Sequence, residues 1–176
     1  MWLSADDEGA RAAIKLLMKM KNVAYTRFRD EVAALHLVAG IEGILPVLGF
    51  DMPQELNVRR PWYAMPVAAP LLNRVKRMSP RSKVAGIAEV AETMAQLHAK
   101  GIAHRDIKPG NLLFYGRRLH IADFGLVDYP NKPDITGSKE ELGPRWTMAP
   151  EVRRDGKSAD PFPADVYSLA KTLWSS

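Results

Sequence analysis

His104-Arg105-Asp106-Ile107-Lys108-Pro109-Gly110-Asn111, with Asp123-Phe124-Gly125 following twelve residues after the Asn, is the stretch on which the reading of this chain turns. It sets a candidate proton acceptor, a cation and two oxygen donors for a metal at spacings that phosphoryl transfer from a nucleotide can use. Asp106 can align an acceptor hydroxyl and accept its proton. A carboxylate with a reference pKa of about 3.9 is a weak base toward an alcohol, so alignment and late proton acceptance are the roles open to it. Lys108 lies on the same side of an extended loop and can reach a transferring phosphate. Asn111 and Asp123 offer hard oxygen ligands, which suit Mg²⁺ (or Mn²⁺) held largely by substrate phosphates.

The rest of the chain is compatible with one soluble domain. Its 176 residues are 47% hydrophobic and 26% charged, with a net charge of +5, a composition that supports a packed core rather than a disordered tail. The basic residues are dispersed in pairs such as Arg59-Arg60, Arg117-Arg118 and Arg153-Arg154, without a long basic run or zinc-ligand spacing, so no nucleic-acid partner is expected. There is no cysteine, which excludes disulfides and thiolate chemistry and fits a reducing compartment. No apolar run reaches the roughly 20 residues that cross a bilayer, and the acidic start Met1-Trp2-Leu3-Ser4-Ala5-Asp6-Asp7-Glu8 is unlike a signal peptide. A cytoplasmic location is expected.

Two textures meet near residues 66–82. Before them, Trp2 to Ala5, the turn residues Asp6-Asp7-Glu8-Gly9 and the apolar segment Ala12 to Met18 read as a β-hairpin. Thr26 is then expected to cap a helix with Phe28, Val32, Leu35 and Ala39 on one face, stopped by Gly40. Strands are predicted over Ile44 to Phe50 and Trp62 to Met65. After the junction, Ser79-Pro80 opens a helix with Val84, Ile87, Ala91, Met94 and Leu97 along one face, and Gly101 closes it. Leu112 to Tyr115 and Leu119 to Ala122 read as a small hairpin, Val127 to Arg145 as a long loop, and Ala164 to Trp174 as a helix.

The motif stretch resembles the catalytic and metal-binding loops of a eukaryotic-type (Ser/Thr) protein kinase domain, and further matches follow in order. Ala12-Ala13-Ile14-Lys15 resembles the strand whose lysine binds the α- and β-phosphates, with Glu31 as that lysine's partner. Ala149-Pro150-Glu151 resembles the close of the activation segment. Asp165-Val166-Tyr167-Ser168-Leu169 resembles the start of the helix beneath the catalytic loop, whose Asp braces that loop. Each short match has a bland alternative, since an Asp-Phe-Gly alone is a turn and a helical Glu alone is solvated; their order from Ala12 to Leu169 is what gives them weight.

The resemblance implies an α+β, two-lobed fold: residues 1–65 as a β-rich N-lobe, 66–82 as hinge and linker, 83–176 as a mainly helical C-lobe, both lobes incomplete. It implies ATP and Mg²⁺ as cofactors, protein substrates with Ser or Thr acceptors, Asp106 as base, Lys108 and Asn111 beside it, and Asn111 and Asp123 as metal ligands. Met65 corresponds to the gatekeeper, Val67 and Ala68 to the hinge backbone, and Ala13 and Leu113 to the residues that sandwich the purine. His104, Phe124, Gly125 and Leu35 fall into packing or turn roles. Arg105 corresponds to a residue that pairs with a phosphorylated activation loop, for which Thr136, Ser138 and Thr147 are the acceptors. Lys108-Pro109 resembles the serine/threonine pattern, whereas Gly143-Pro144-Arg145-Trp146-Thr147 departs from it, with Pro144 in the place of a Thr.

No Gly-x-Gly-x-x-Gly occurs in the 176 residues. The backbone lid that such a loop places over phosphates is therefore expected to be missing, and turnover to be reduced. Met1 stands where the family has a Val, and the last helix stops at Ser176, so the chain is expected to be a fragment truncated at both ends. A catalytically inactive nucleotide-binding or scaffolding fragment is the alternative reading.

Overall fold

The computed structural model describes residues 2–5, 9, 11–55, 59–130, 132, 146–155 and 158–175. The expected turn at Asp6-Asp7-Glu8, Met1, Ser176, and Thr136, Ser138, Gly143, Pro144 and Arg145 of the long loop lie outside the described residues.

β1 (Trp2–Ala5) and β2 (Arg11–Leu16) pair antiparallel with Trp2 opposite Ile14. Next comes α1 (Asn22–Leu37), which begins four residues before the expected cap. Lys21 occupies the N-cap without a side-chain bond, and Thr26 instead donates its hydroxyl to the Asn22 carbonyl within the first turns. A bond of this kind back to the i−4 carbonyl lets Thr sit inside the helix at a slight cost in helix stability. Phe28, Val32 and Leu35 are buried as their spacing predicts, while Gly40, at φ 83°, turns the chain after the helix.

β3 (Gly49–Asp51) is much shorter than the predicted strand from Ile44, because the preceding residues have another partner. Ile44 forms a bridge with Ile121, and Leu45 N–H donates to the Ile121 carbonyl at 3.2 Å. β4 (Trp62–Pro66) completes a four-stranded sheet of order β1-β2-β4-β3.

The junction carries short elements: β5 (Ala69–Pro70), α2 (Leu71–Arg74) and a 3-10 turn, Val75–Arg77. α3 (Pro80–Ala99) starts where predicted, with Ser79 accepting from Ser82 N–H at 3.1 Å. Its buried face differs from the expected one. Gly86, Val90, Thr93, Met94 and Leu97 face inward, whereas Val84 and Ala91 are exposed. Met94 and Leu97 are buried and Ile87 packs on the core as expected, but small and polar residues, Gly86 and Thr93, occupy the tight contacts, and hydrophobicity alone passes over them. Burial of Val90, Met94 and Leu97 contributes about 1.5–3 kcal/mol each.

β6 (Leu112–Tyr115) and β7 (Arg118–Ile121) form the expected hairpin and join β5 in a three-stranded sheet. α4 (Pro150–Arg154) is a short turn of helix, and α5 (Pro161–Trp174), capped by Asp160, packs on α3. The result is the expected α+β, two-lobed arrangement, a sheet with one helix followed by a helical part with a small sheet. The 43–45 loop ties the two together. Gly43, at φ 90°, leaves room for Thr93, whose hydroxyl would lie 2.1 Å from a Cβ there. That hydroxyl donates to the Glu42 or Glu89 carbonyl, both at 3.1 Å, and Arg118 pairs with Glu42.

Candidate active site

The edge of β7 and the two loops flanking the β6–β7 hairpin deliver the polar groups. The loop before the hairpin is held from below by α5. Asp165, 1% exposed, accepts the His104 and Arg105 backbone N–H groups, each at 2.7 Å, and its Oδ2 lies 3.2 Å from His98 Nε2. Arg105 is thereby kept at φ 64°, a left-handed conformation uncommon for a non-glycine residue. His104 is fully buried, edge-on to Phe124 at 4.8 Å. Its Nδ1 accepts the Asp106 N–H at 3.2 Å and its Nε2 donates to the Ala122 carbonyl at 3.3 Å. These partners select the neutral Nε2–H tautomer, and burial lowers the pKa against the pull of Asp165 and Asp106.

Asp106 emerges from this support only 7% exposed. Its Oδ2 accepts from Lys108 Nζ at 2.8 Å and from Asn111 Nδ2 at 2.9 Å, while the same amide also donates to the Asp106 carbonyl at 2.9 Å. Oδ1 is buried and has no hydrogen-bond partner among the described residues. An unpaired buried carboxylate oxygen is costly, and a hydroxyl donor from a substrate would satisfy it. With its nitrogen committed to Asp106, Asn111 has its carbonyl oxygen left for a cation.

The second group of residues converges from the sheet and α1. Lys15, on β2, donates to Glu31 of α1 at 2.6 Å and to Asp123 at 2.9 Å. Burial disfavours the Lys15 charge, but the two carboxylates outweigh it and hold its pKa above the ordinary value. Glu31 is pushed the other way: burial raises its pKa more than Lys15 lowers it. Burial would raise Asp123 as well, yet Lys15 prevails and keeps it below the usual carboxylate range, ionised and ready for a cation. Asp123 sits at φ 66°.

Tyr63 is a residue that the sequence reading missed. Its hydroxyl donates to Glu31 Oε1 at 2.7 Å, its pKa is raised by burial and by that carboxylate, and its ring packs on Phe28. The sequence carries only the two-residue spacing that puts Tyr63 on the strand face of Met65; its place directly opposite Lys15 comes from the β2–β4 register. His98 and Asp128 were missed as well. Asp128 bridges Ala103 through two backbone bonds, 2.9 and 2.8 Å, and its carboxylate lies 3.7 Å from the Arg105 guanidinium.

Met65 is buried opposite Ala13 in that register, and Leu113 stands on β6. Val67 and Ala68 are the two residues between β4 and β5. Gly125 approaches Glu31 and Asp123, where a Cβ would meet their carboxylate oxygens at 3.7 and 3.4 Å. Among the described residues, no three His, Asp or Glu side chains form a self-sufficient metal cage. A Mg²⁺ ion therefore fits only with phosphate oxygens completing its shell, which is the regime Asn111 and Asp123 suit. Thr147 is 1% exposed, so its hydroxyl is not accessible as a phosphate acceptor in this conformation; Glu151 is exposed on α4.

A family model described as a protein kinase domain matches residues 3–176. The chain belongs to this protein kinase family. Among its relatives, the serine/threonine-protein kinase AfsK of Streptomyces griseus is 29% identical over 181 residues, covering 98% of this chain and 22% of that protein. The serine/threonine-protein kinase PkaB of Streptomyces coelicolor is 32% identical over 197 residues, covering 99% of this chain and 44% of that protein. For the serine/threonine-protein kinase PknL of Mycobacterium tuberculosis the figures are 35% over 155 residues, 85% and 37%. The chain thus spans 22% to 44% of the length of these curated relatives. No helix among the described residues is long and apolar enough to cross a membrane.

Proposed function

We propose that this kinase-family chain transfers the γ-phosphate of ATP to Ser or Thr hydroxyls of protein substrates. The observation that carries the reading is Asp106: a buried carboxylate with one oxygen tied to Lys108 and Asn111 and the other without a partner among the described residues. The unpaired oxygen can hold the acceptor hydroxyl and take its proton late in transfer. Lys108 stabilises charge on the moving phosphoryl group, and Lys15, oriented by Glu31, pairs with the remaining phosphates. Asn111 and Asp123 hold Mg²⁺ or Mn²⁺, and bound Mg²⁺-ATP supplies the phosphoryl donor and its countercharge. Ala13, Met65 and Leu113 frame the adenine, with Val67 and Ala68 as its hinge. Phe124 and Gly125 set the turn that aims Asp123. Residues 1–65, 66–82 and 83–176 act as N-lobe, hinge and C-lobe. Serine/threonine specificity follows from Lys108-Pro109 and accords with the relatives' names.

The reaction belongs in the cytoplasm in this reading, with a protein rather than a nucleic acid as partner. Phosphate on Thr136 or Ser138 would compete with Asp128 for Arg105, which makes those two residues the regulatory acceptors.

A second reading is a nucleotide-binding or scaffolding module without turnover. Transfer of labelled γ-phosphate by the wild-type chain, Asp106→Asn and Asp123→Asn separates the two. Asp106→Asn should lose on the order of 10²–10⁴-fold in kcat while still binding nucleotide. A wild-type chain that binds Mg²⁺-ATP and transfers nothing would decide for the module.

A further inference from the structure

Residues 57–88 contain no Asp or Glu, and apart from Arg59 and Arg60 the basic residues within that span gather on α2, the 3-10 turn after it and the start of α3. Arg74, Lys76, Arg77 and Arg81 are all exposed, and among the described residues none lies within ion-pair distance of a carboxylate. Arg59, Arg105 and Arg118, by contrast, each lie against an acid. Four neighbouring cations without countercharge create a local positive field, which stands out on a chain whose net charge is only +5.

The position of this surface relates it to the site. α2 packs against the 3-10 turn Pro109–Asn111, the turn that ends in Asn111. β5, immediately before α2, pairs with Leu113 and Phe114. The Arg74 guanidinium lies 5.1 Å from the centre of the Phe114 ring, which fixes it beside the hairpin that follows Asn111. Leu71 and Val75 are buried underneath and hold the charged positions outward.

We infer that this surface selects acidic protein substrates: Asp, Glu or phosphorylated residues flanking the acceptor hydroxyl dock on Arg74, Lys76, Arg77 and Arg81. The inference rests on the kinase reading of the site. An extended segment advances about 3.3 Å per residue, so flanking side chains a few residues from a hydroxyl held at Asp106 pass over the Asn111 turn onto α2. Acidic side chains there meet the cations, and basic ones meet repulsion, which gives discrimination through both attraction and rejection. A lipid surface is a poorer match, because Leu72 is the one strongly exposed large apolar residue on α2.

The test compares fluorescent serine peptides with Glu, Gln or Lys flanks, measured by anisotropy with a non-hydrolysable Mg²⁺-ATP analogue present. Binding is compared between the wild-type chain and Lys76→Glu/Arg77→Glu/Arg81→Glu, whose fold is checked by circular dichroism and whose nucleotide affinity should be unchanged. The wild type should favour the Glu peptide over the Lys peptide by roughly tenfold or more at low salt, and the variant should abolish or invert that order. Equal binding of the Glu and Lys peptides by the wild type overturns the inference. So does a Glu preference that survives in the variant, or binding of phosphatidylserine vesicles without any peptide preference. The readout needs no turnover: a preserved Glu preference without phosphate transfer breaks the kinase reading alone, and transfer without charge preference breaks this inference alone.

Discussion

The part of the site around Asp106 and the part around Lys15 are built from contacts of different range. Asp106 meets Lys108 and Asn111 at separations of two and five residues, and one distant side chain, Asp165, braces the loop from below. Lys15 meets Glu31 and Asp123 at separations of 16 and 108 residues, so its arrangement exists only when β2, α1 and the loop after β7 are packed together. The contrast teaches where each part is vulnerable. A change in α1 can dissolve the Lys15 group and leave Asp106 to Asn111 in place, whereas the Asp106 group fails through its brace.

The brace should give the largest effect. Asp165→Ala removes an acceptor from a buried and a part-buried backbone N–H group and a partner from His98, and we expect a loss of about 3 kcal/mol or more in urea denaturation. Asp165→Asn, which keeps one acceptor oxygen, should lose less. A small loss for Asp165→Ala would mean that the loop stands on its own eight residues and that the two parts differ even more sharply in the range of their contacts.

Tyr63→Phe is the smaller counterpart in the long-range part. The ring contact with Phe28 is kept, and only the hydrogen bond to Glu31 is lost, for an expected cost of about 1.5 kcal/mol. Affinity for Mg²⁺-ATP, read by isothermal titration, should fall because Glu31 then holds Lys15 less firmly. An unchanged affinity with lowered stability would reduce Tyr63 to a packing residue.

How much was legible in the sequence follows the same division. His104 to Asn111 could be read because its partners are neighbours, and spacing carries their geometry. The Lys15–Glu31 pair was reached through resemblance. Tyr63, His98 and Asp128 were not reached at all, since their roles depend on strand register and on which faces of α3 and α5 meet. The fold shows the same limit. The β6–β7 hairpin and the helix start at Ser79-Pro80, which carry local signals, fell where expected, whereas α1 began before its expected Thr26 cap. The strand predicted from Ile44 was shortened by a bridge to Ile121, and the inward face of α3 was decided by Gly86 and Thr93, whose contacts lie on other elements.

The pH dependence of His104 gives the finest measure of how tightly the short-range part is built. Its pKa in the folded chain lies below the ordinary value of about 6.5, because the ring is buried and its Nδ1 already accepts the Asp106 N–H. Between that lowered value and about 6.5 the unfolded chain binds a proton that the folded chain refuses, so ν_U exceeds ν_N and stability rises with pH. The contribution is fully present above about pH 6.5 and is lost as pH falls through the window toward the folded pKa, with a slope of at most about 1.4 kcal/mol per pH unit. Glu31 works in the opposite direction at lower pH, since its raised pKa makes the folded chain the better proton binder there. Only the difference between wild type and His104→Gln isolates the histidine. Urea midpoints at pH 7.5, 6.5 and 5.5 should converge between the two proteins as the pH drops, because the wild type alone loses the His104 contribution. Parallel midpoints across that range would mean that the ring takes up its proton equally readily in the folded and unfolded chains, and that the loop is looser than its hydrogen bonds imply.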